Sequence, residues 1–245
     1  MKKNIAFVLL VLLSITTLMG QRSYNETFRF VEQRINLEEK VPKEEQLFFP
    51  EYTHGEVFFQ NGQTNRGRLN FNMLLDEVVH LDRRGQERVT DGQIDSVRFE
   101  NGAVFVFVPA YGFMERIKAN GRAALYGRHF IRVNTETMVR GPYGQPTRSS
   151  AVTRVRSLDT GAGEGAERNF YLENPGDAPM DVNVRYQGQF MIRRGSEFHR
   201  AGNRRQLQGI FPEYRQELRN YLRDHDLSFS DPEEMKALVD FINSL

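Results

Sequence analysis

Apolar and polar residues alternate along much of the chain between residues 52 and 200. In residues 68–73, arginine and asparagine alternate with leucine, phenylalanine and methionine, and residues 180–186 show the same pattern. A period of two places every second side chain on one face, so both stretches predict half-buried β-strands. Asn-Gly pairs, which accept the positive φ angles of tight hairpins, separate such stretches at 61–62, 101–102 and 120–121. The pattern therefore predicts a mainly antiparallel β meander, either a barrel or a sandwich.

Two stretches of this predicted β body depart from the alternation. Residues 103–108 read AVFVFV and are apolar on both faces, which predicts a strand in the middle of the sheet. Pro109 ends that strand, because proline cannot donate to a central ladder. Residues 141–166 contain five glycines and two prolines, which predicts a flexible surface loop with at most a short strand at 152–155.

The last part of the chain, residues 201–245, has helical spacing instead. Two apolar stripes recur at intervals of three and four residues, which predicts a helical hairpin that packs on the β body. Asp231 is placed to cap the second helix, with Pro232 at its first position. The stripes contain Tyr214, Leu218, Tyr221 and Leu222, and then Met235, Leu238, Val239 and Ile242. The predicted fold class is therefore α+β.

The first twenty residues have the form of a secretory signal peptide. Lys2 and Lys3 precede an unbroken apolar run at 5–13, and Gly20 offers a small residue for cleavage before residue 21. A spanning helix needs about 20 mainly apolar residues, and residues 5–19 are too few and include Ser and Thr. We therefore expect an exported protein of a Gram-negative bacterium, periplasmic or extracellular, with no transmembrane segment after removal of residues 1–20.

The segment 21–51 lies between this leader and the predicted β body. Phe28, Val31 and Ile35 are spaced so that they would share one face of a helix. Ser23 and Glu26 stand three residues apart, as in a capping box. This spacing predicts a short N-terminal helix.

The composition and motifs of the sequence argue against several kinds of functional site. The chain has no cysteine, which excludes disulfide scaffolds, thiol nucleophiles and thiolate metal sites. Its formal net charge of +1 is unlike the strongly basic balance of nucleic-acid-binding domains. The five histidines show no metal-ligand spacing, and no nucleophile elbow or phosphate-binding loop occurs. We therefore predict no catalytic residue, no metal and no cofactor.

Arginine is the most localised chemical signal, since 27 of the 33 basic residues are arginine. Residues 185–205 hold six of them against one glutamate, whereas residues 224–245 hold six acids against one lysine. Guanidinium groups bind phosphate and carboxylate bidentately. One interpretation is an anion site for a lipid headgroup, a glycan or an acidic protein, formed by Arg193, Arg194, Arg200, Arg204 and Arg205. The other is a solvated hairpin that pairs with the acidic C-terminal helix, which the usual behaviour of charge runs favours.

Two stretches resemble a known group of proteins. Residues 55–99 read GEVFFQNGQTNRGRLNFNMLLDEVVHLDRRGQERVTDGQIDSVRF, and residues 189–245 include IFPEYRQELRNYLRDHDLSFSDPEEMKALVDFINSL. Together they resemble an uncharacterised family of secreted proteins from Bacteroidota. The resemblance implies an exported protein with a β-rich body and a C-terminal helical segment. It implies no activity and transfers no catalytic residue.

The function that these observations favour is that of an exported cell-envelope protein, a non-enzymatic module for binding or assembly. One alternative is a carrier that holds a lipid or another small ligand in a cavity of the β body. A second alternative is a hydrolase with an unrecognised site, which would need histidine and acidic side chains to converge in a cleft.

Overall fold

The computed structural model describes residues 22–140, 146–153, 171–174 and 179–245. The protein has the predicted α+β class, a mostly antiparallel β-sheet followed by a C-terminal helical segment. The described strands are β1 (Asn25–Phe30), β2 (Arg34–Asn36), β3 (Thr53–Phe59), β4 (Thr64–Asn72), β5 (Glu77–Leu81), β6 (Glu87–Val89), β7 (Ile94–Phe99), β8 (Val104–Val108), β9 (Gly112–Lys118), β10 (Ala123–Arg140), β11 (Pro146–Thr153), β12 (Tyr171–Glu173), β13 (Met180–Arg194) and β14 (Glu197–Arg200). The described helices are α1 (Leu37–Lys40), α2 (Lys43–Gln46), α3 (Arg204–Ile210), α4 (Arg215–Asp224) and α5 (Pro232–Ser244).

Twelve of the described strands form one sheet with the order β6-β5-β4-β3-β7-β8-β9-β10-β13-β1, with β11 beside β10 and β14 beside β13. Strands β3–β6 and β7–β10 are two meanders of sequential hairpins, and β7 joins them by pairing with the free edge of β3. The predicted Asn-Gly turns lie between these strands, and their glycines have φ angles of 82°, 89° and 106°. The predicted antiparallel meander is thus confirmed.

Strands β10 and β13 form a long ribbon in the middle of the molecule. Their register runs from Ala123 opposite Arg194 to Thr137 opposite Met180. Strands β9 and β11 pair with successive parts of β10 along one side of the ribbon. Strands β14 and β1 pair with successive parts of β13 along the other side. One face of the ribbon carries buried apolar side chains near both ends of the ribbon. The β3–β8 part of the sheet covers this face at one end, and the C-terminal helices cover it at the other.

The first core lies between one half of the ribbon and the β3–β8 part of the sheet. Phe71 of β4 and Phe105 of β8 belong to the same buried cluster as Val133 and Val182 of the ribbon, so the sheet curves over itself. The Ile131 N–H donates to the carbonyl of Met73 over 3.0 Å and ties the end of β4 to β10. Of the two predicted arrangements, this two-layer packing is that of a sandwich.

The second core lies between the other half of the ribbon and the C-terminal helices. Leu125 and Ile192 of the ribbon pack with apolar residues of α3, α4 and α5. Both predicted helices are present, and the Asp231 side chain accepts hydrogen bonds from the N–H groups of Glu233 and Glu234, each over 2.9 Å. Helix α3 was not predicted, because its two buried apolar residues make too short a stripe to recognise.

One prediction within the β body is confirmed and another needs correction. Strand β8 lies between β7 and β9, in the middle of the sheet as predicted, although Phe107, on the same face as the buried Phe105, is 39% exposed. Within the predicted loop 141–166, residues Pro146–Thr153 form β11, and every residue of β11 pairs with a residue of β10. The strand therefore begins well before the predicted 152–155, and residues 141–145 and 154–166 lie outside the described part of the chain.

The N-terminal segment also differs from the prediction. Phe28 and Phe30 lie in β1, which pairs with the free edge of β13, while Val31 is 68% exposed. The helical spacing was coincidental, because pairing with the open edge of β13 decides the conformation of this segment. Helices α1 and α2 of one turn each follow. The predicted signal peptide, residues 1–20, lies outside the described residues, and no helix in the described part has the length and hydropathy to cross a membrane.

Candidate anion site

An open groove of about 730 Å³ lies where the β13–β14 hairpin meets the end of α3 and the turn before β10. The hairpin turns at Gly195, whose φ of 61° suits a tight turn. The register of the ribbon places Ala123 opposite Arg194, which brings the 121–122 turn to the same place. The lining residues are Gly121, Arg122, Ala124, Arg193, Arg194, Gly195, Glu197, His199, Gly209, Ile210 and Pro212. We call this cavity the arginine groove.

Each arginine of the groove stacks on an aromatic ring. The Cζ atom of Arg122 lies 5.0 Å from the ring centroid of Tyr214. The corresponding distances are 5.7 Å from Arg193 to Tyr126 and 5.4 Å from Arg194 to Phe211. Stacking fixes the plane of a guanidinium and leaves its N–H donors along the edge. The groove is therefore lined by three guanidinium groups, each of which lies over an aromatic ring.

The three cations differ in how far the protein itself neutralises them. Arg194 donates to the carbonyl of Ile210 over 2.5 Å and pairs with Glu213 at 2.9 Å. Arg122 donates to the hydroxyl of Tyr214, which carries no charge. Within the described residues, neither Arg122 nor Arg193 has an acidic partner at ion-pair distance. The net charge of the groove is therefore positive, with Glu197 the only acid among its lining residues.

The structure brings together only part of the predicted site. Arg193 and Arg194 line the arginine groove, while Arg200 lines an adjoining groove. Arg204 and Arg205 are exposed in the first turn of α3 and line neither groove. The prediction missed Arg122, which lies about seventy residues earlier in the chain. The available signal was the Asn-Gly turn at 120–121, but the pairing of β10 with β13 is not visible in the sequence.

The competing interpretation paired the arginine-rich hairpin with the acidic C-terminal helix. Across the described chain, no ion pair joins residues 185–205 to residues 224–245, and the acid that pairs with Arg194 is Glu213. Asp240 of α5 pairs with Lys118 of β9 instead. The acidic helix packs through its opposite, apolar face, so its charges face away from the hairpin. The structure does not support mutual neutralisation of the two segments.

A second groove of about 340 Å³ adjoins the first. It is lined by Tyr111, Phe198, His199, Arg200, Gln206, Gly209 and Ile210. His199, Gly209 and Ile210 line both cavities, so the two grooves are adjacent. The Tyr111 hydroxyl donates to the carbonyl of Phe198 over 3.1 Å, which fixes the tyrosine ring. We call this cavity the aromatic groove.

A buried polar cluster lies elsewhere, on the inner face of the ribbon. His129 Nε2 lies 3.2 Å from a carboxylate oxygen of Glu115, and His129 Nδ1 lies 2.7 Å from the hydroxyl of Tyr186. Burial raises the pKa of Tyr186 to about 12, so its hydroxyl stays protonated. His129 is 3% exposed and its ring packs against Phe48 at a centroid distance of 4.7 Å. Although a carboxylate–histidine–hydroxyl arrangement can activate a nucleophile, neither groove reaches this one.

The remaining histidines are dispersed over the fold. They lie on different elements: His54 on β3, His80 on β5, His199 on β14 and His225 directly after α4. In the part of the chain that the structure describes, no group of three or more histidine and acidic side chains is placed to hold a metal ion. In comparisons with known proteins, no family model, no curated protein and no solved structure matches this chain.

Proposed function

We propose that the chain is an exported cell-envelope protein that acts by binding, and that the arginine groove takes an anionic ligand. The observation that carries the proposal is the excess of positive charge in the groove, whose lining residues include three guanidinium groups near aromatic rings and one carboxylate, Glu197. Among the described residues, neither Arg122 nor Arg193 has a carboxylate at ion-pair distance. A ligand carboxylate or phosphate would supply it through charge-assisted hydrogen bonds.

Export is supported by the sequence at the N-terminus. Residues 1–20 combine a charged start, an apolar run and a small residue, as secretory signal peptides do. The resemblance of residues 55–99 and 189–245 to a secreted family of Bacteroidota agrees with this destination. A protein without cysteine must be stabilised in the envelope by its two cores rather than by disulfides.

A carrier function has less support, because aromatic side chains fill the interior of the β body. Phe48, Phe49, Phe99 and Phe105 lie with ring centroids 4.7 to 6.5 Å apart, and Phe71 lies 5.1 Å from Phe105. Both described grooves are at the surface instead. A hydrolase also has less support, because His129, whose ring lies near the largely buried carboxylate of Glu115, lines neither of the described grooves.

The proposal is tested by binding of the purified protein to polygalacturonate and to phosphatidylglycerol vesicles, with dextran as the neutral probe. The double variant Arg122→Gln/Arg193→Gln should weaken anion binding at least tenfold, because each charge-assisted hydrogen bond contributes about 1.5–3 kcal/mol. The matched control Arg215→Gln/Arg219→Gln removes two exposed arginines from α4 and should change binding less than twofold. Failure to bind any anion, or an equal loss in both double variants, would overturn the proposal.

A further inference from the structure

We infer that the outer face of the β10–β13 ribbon carries a second site, in which Arg132 and Arg185 together bind the phosphate group of a ligand. Arg132 lies on β10 and Arg185 on β13, and the register places them directly opposite each other. We call them the arginine pair. Neither residue lines the arginine groove or the aromatic groove, so this site is separate from the one in the proposed function.

The alternation of side chains along the two strands places the arginine pair on the outer face. Val133 and Val184, which each follow or precede one of the arginines, are fully buried in the first core. Successive side chains of a strand point to opposite faces, so Arg132 and Arg185 point away from that core. Arg185 is exposed and Arg132 is partly buried. Directly opposed residues have Cβ atoms about 4.5–5.5 Å apart, so both guanidinium groups can reach one ligand.

Like charges directly opposite each other destabilise a sheet, and among the residues that the structure describes neither arginine has an acidic partner at ion-pair distance. Arg185 makes no side-chain hydrogen bond within that part of the chain, and Arg132 donates through Nε to the uncharged Asn134 Oδ1 over 3.1 Å. On the same face, Arg29 of β1 lies opposite Asp181 and donates to both of its carboxylate oxygens over 2.7 and 2.9 Å. The arginine pair thus departs from the charge pairing beside it, and such departures are expected at functional sites.

Amide side chains connect the surroundings of the arginine pair across three strands. Asn25 of β1 lies opposite Arg185, and its Oδ1 accepts from Asn183 Nδ2 over 2.8 Å. Asn134 Nδ2 lies 3.5 Å from Asn183 Oδ1 and so links β10 to β13. The hydrogen bond from Arg132 Nε to Asn134 orients that guanidinium and leaves its terminal N–H groups for a ligand. The neighbours of the pair therefore position it without neutralising it.

A phosphate group matches the arginine pair in charge and in geometry. A phosphomonoester carries about −1.5 to −2 charges at pH 7 and has three strong acceptor oxygens. Guanidinium groups bind such oxygens bidentately. One phosphate would neutralise both arginines, whereas one carboxylate would neutralise only one of them. Because the bound group would also remove the repulsion within the pair, phosphate should stabilise the folded protein.

Urea unfolding of the purified protein tests the site in sodium phosphate and in sodium chloride at equal ionic strength, so that charge screening is the same. We expect a higher midpoint in phosphate. Arg132→Gln and Arg185→Gln should each raise the midpoint in chloride by about 0.1–0.3 M, because the repulsion is gone. Each should also lose at least half of the rise that phosphate causes. If both variants keep the whole rise, the site is wrong.

Two controls separate this site from other effects of phosphate. Phosphate strengthens hydrophobic burial in any protein, and Arg29→Gln, which removes an arginine that has a carboxylate partner, should keep the whole rise. Arg185→Gln should cause the same loss in protein that also carries Arg122→Gln/Arg193→Gln. A loss that occurs only when the arginine groove is intact would overturn the second site. Failure of the groove to bind anions, in contrast, would overturn the proposed function and leave this result unchanged.

Vesicles of phosphatidic acid in phosphatidylcholine distinguish the source of the phosphate group. If the protein sediments with them and Arg185→Gln weakens this binding at least about tenfold, the phosphate belongs to a lipid headgroup. If inorganic phosphate raises the midpoint and the vesicles do not bind, it belongs to a soluble phosphate compound. Both results support the site. No response of the unaltered protein to either probe would overturn it, and this comparison does not depend on any variant.

Discussion

Asn243, near the end of α5, should be among the most costly single side chains to remove outside the apolar cores. Its Oδ1 accepts from the Ala123 N–H over 2.8 Å, and its Nδ2 donates to the carbonyls of Ala123 and Asn120 over 3.0 and 3.1 Å. The side chain thus fastens the last helix to the turn that starts β10. At about 1 kcal/mol for each hydrogen bond, Asn243→Ala should cost about 3 kcal/mol, less about 0.5 kcal/mol for the better helix propensity of alanine.

Urea unfolding followed by circular dichroism measures this loss. With a slope of about 3 kcal/mol/M, a loss of about 2.5 kcal/mol lowers the midpoint by about 0.8 M. Asn243→Asp keeps the acceptor and loses the donor, so its midpoint should lie between those of Asn243→Ala and the unaltered protein. Asn220→Ala, which removes one exposed hydrogen bond from Gln216 on α4, should cost less than about 0.5 kcal/mol. A loss for Asn243→Ala as small as that of the control would refute the reasoning.

Three further predictions follow from other parts of the chain. Gly112 has a φ of 81°, and a Cβ at this position would overlap Asp76 Oδ2, whereas Gly85 has a φ of 75° with open space around it. Gly112→Ala should therefore lower the free energy of unfolding by at least about 2 kcal/mol more than Gly85→Ala does. Equal urea midpoints for the two variants would contradict the overlap. Because burial raises the pKa of Tyr186 to about 12 from 10.0, the folded state retains its proton while the unfolded chain ionises, and stability should fall as the pH rises from 10 to 12. Tyr186→Phe should reduce this fall in midpoint, and an unchanged slope would show that Tyr186 does not contribute. Leu10→Arg interrupts the apolar run of the predicted signal peptide and should leave a chain that is neither cleaved nor exported. Mass spectrometry of the unaltered exported protein should show that it begins near residue 21. Normal export of the variant would refute the signal-peptide assignment.

The sequence predicted the local elements of the fold well and their long-range pairing poorly. Turn chemistry and period-two alternation are local, so most strands between 53 and 118 were recognisable, as was the cap at Asp231. The partners of β1 and β10 were not, because both pair with β13, which lies far along the chain. The N-terminal strand was mistaken for a helix for the same reason. An open sheet edge that recruits a strand is a property of the folded molecule and leaves no local signal.

The candidate site shows the same division. The density of arginine in residues 185–205 pointed to Arg193 and Arg194, which do line the groove. The rest of the candidate site comes from other parts of the chain. Tyr126 and Phe211 supply the rings beneath Arg193 and Arg194, and Arg122 supplies the third guanidinium group. Charge density along a sequence can suggest where cations lie. Only the packing of β10, β13 and the helices shows which of them line the same groove.

The β10–β13 ribbon has a consequence for how the protein acquires its structure. Both cores use the same face of this ribbon, whose pairs lie far apart in the chain, from Thr137 opposite Met180 to Ala123 opposite Arg194. Strand β1 in turn has no partner until Arg185 is available to Asn25. Contacts so distant along the chain predict slow folding, and they predict that neither core matures alone. In a chain made from its N-terminus, the hairpins β3–β9 can form early, whereas the two cores can be completed only after β13 is available to pair with β10.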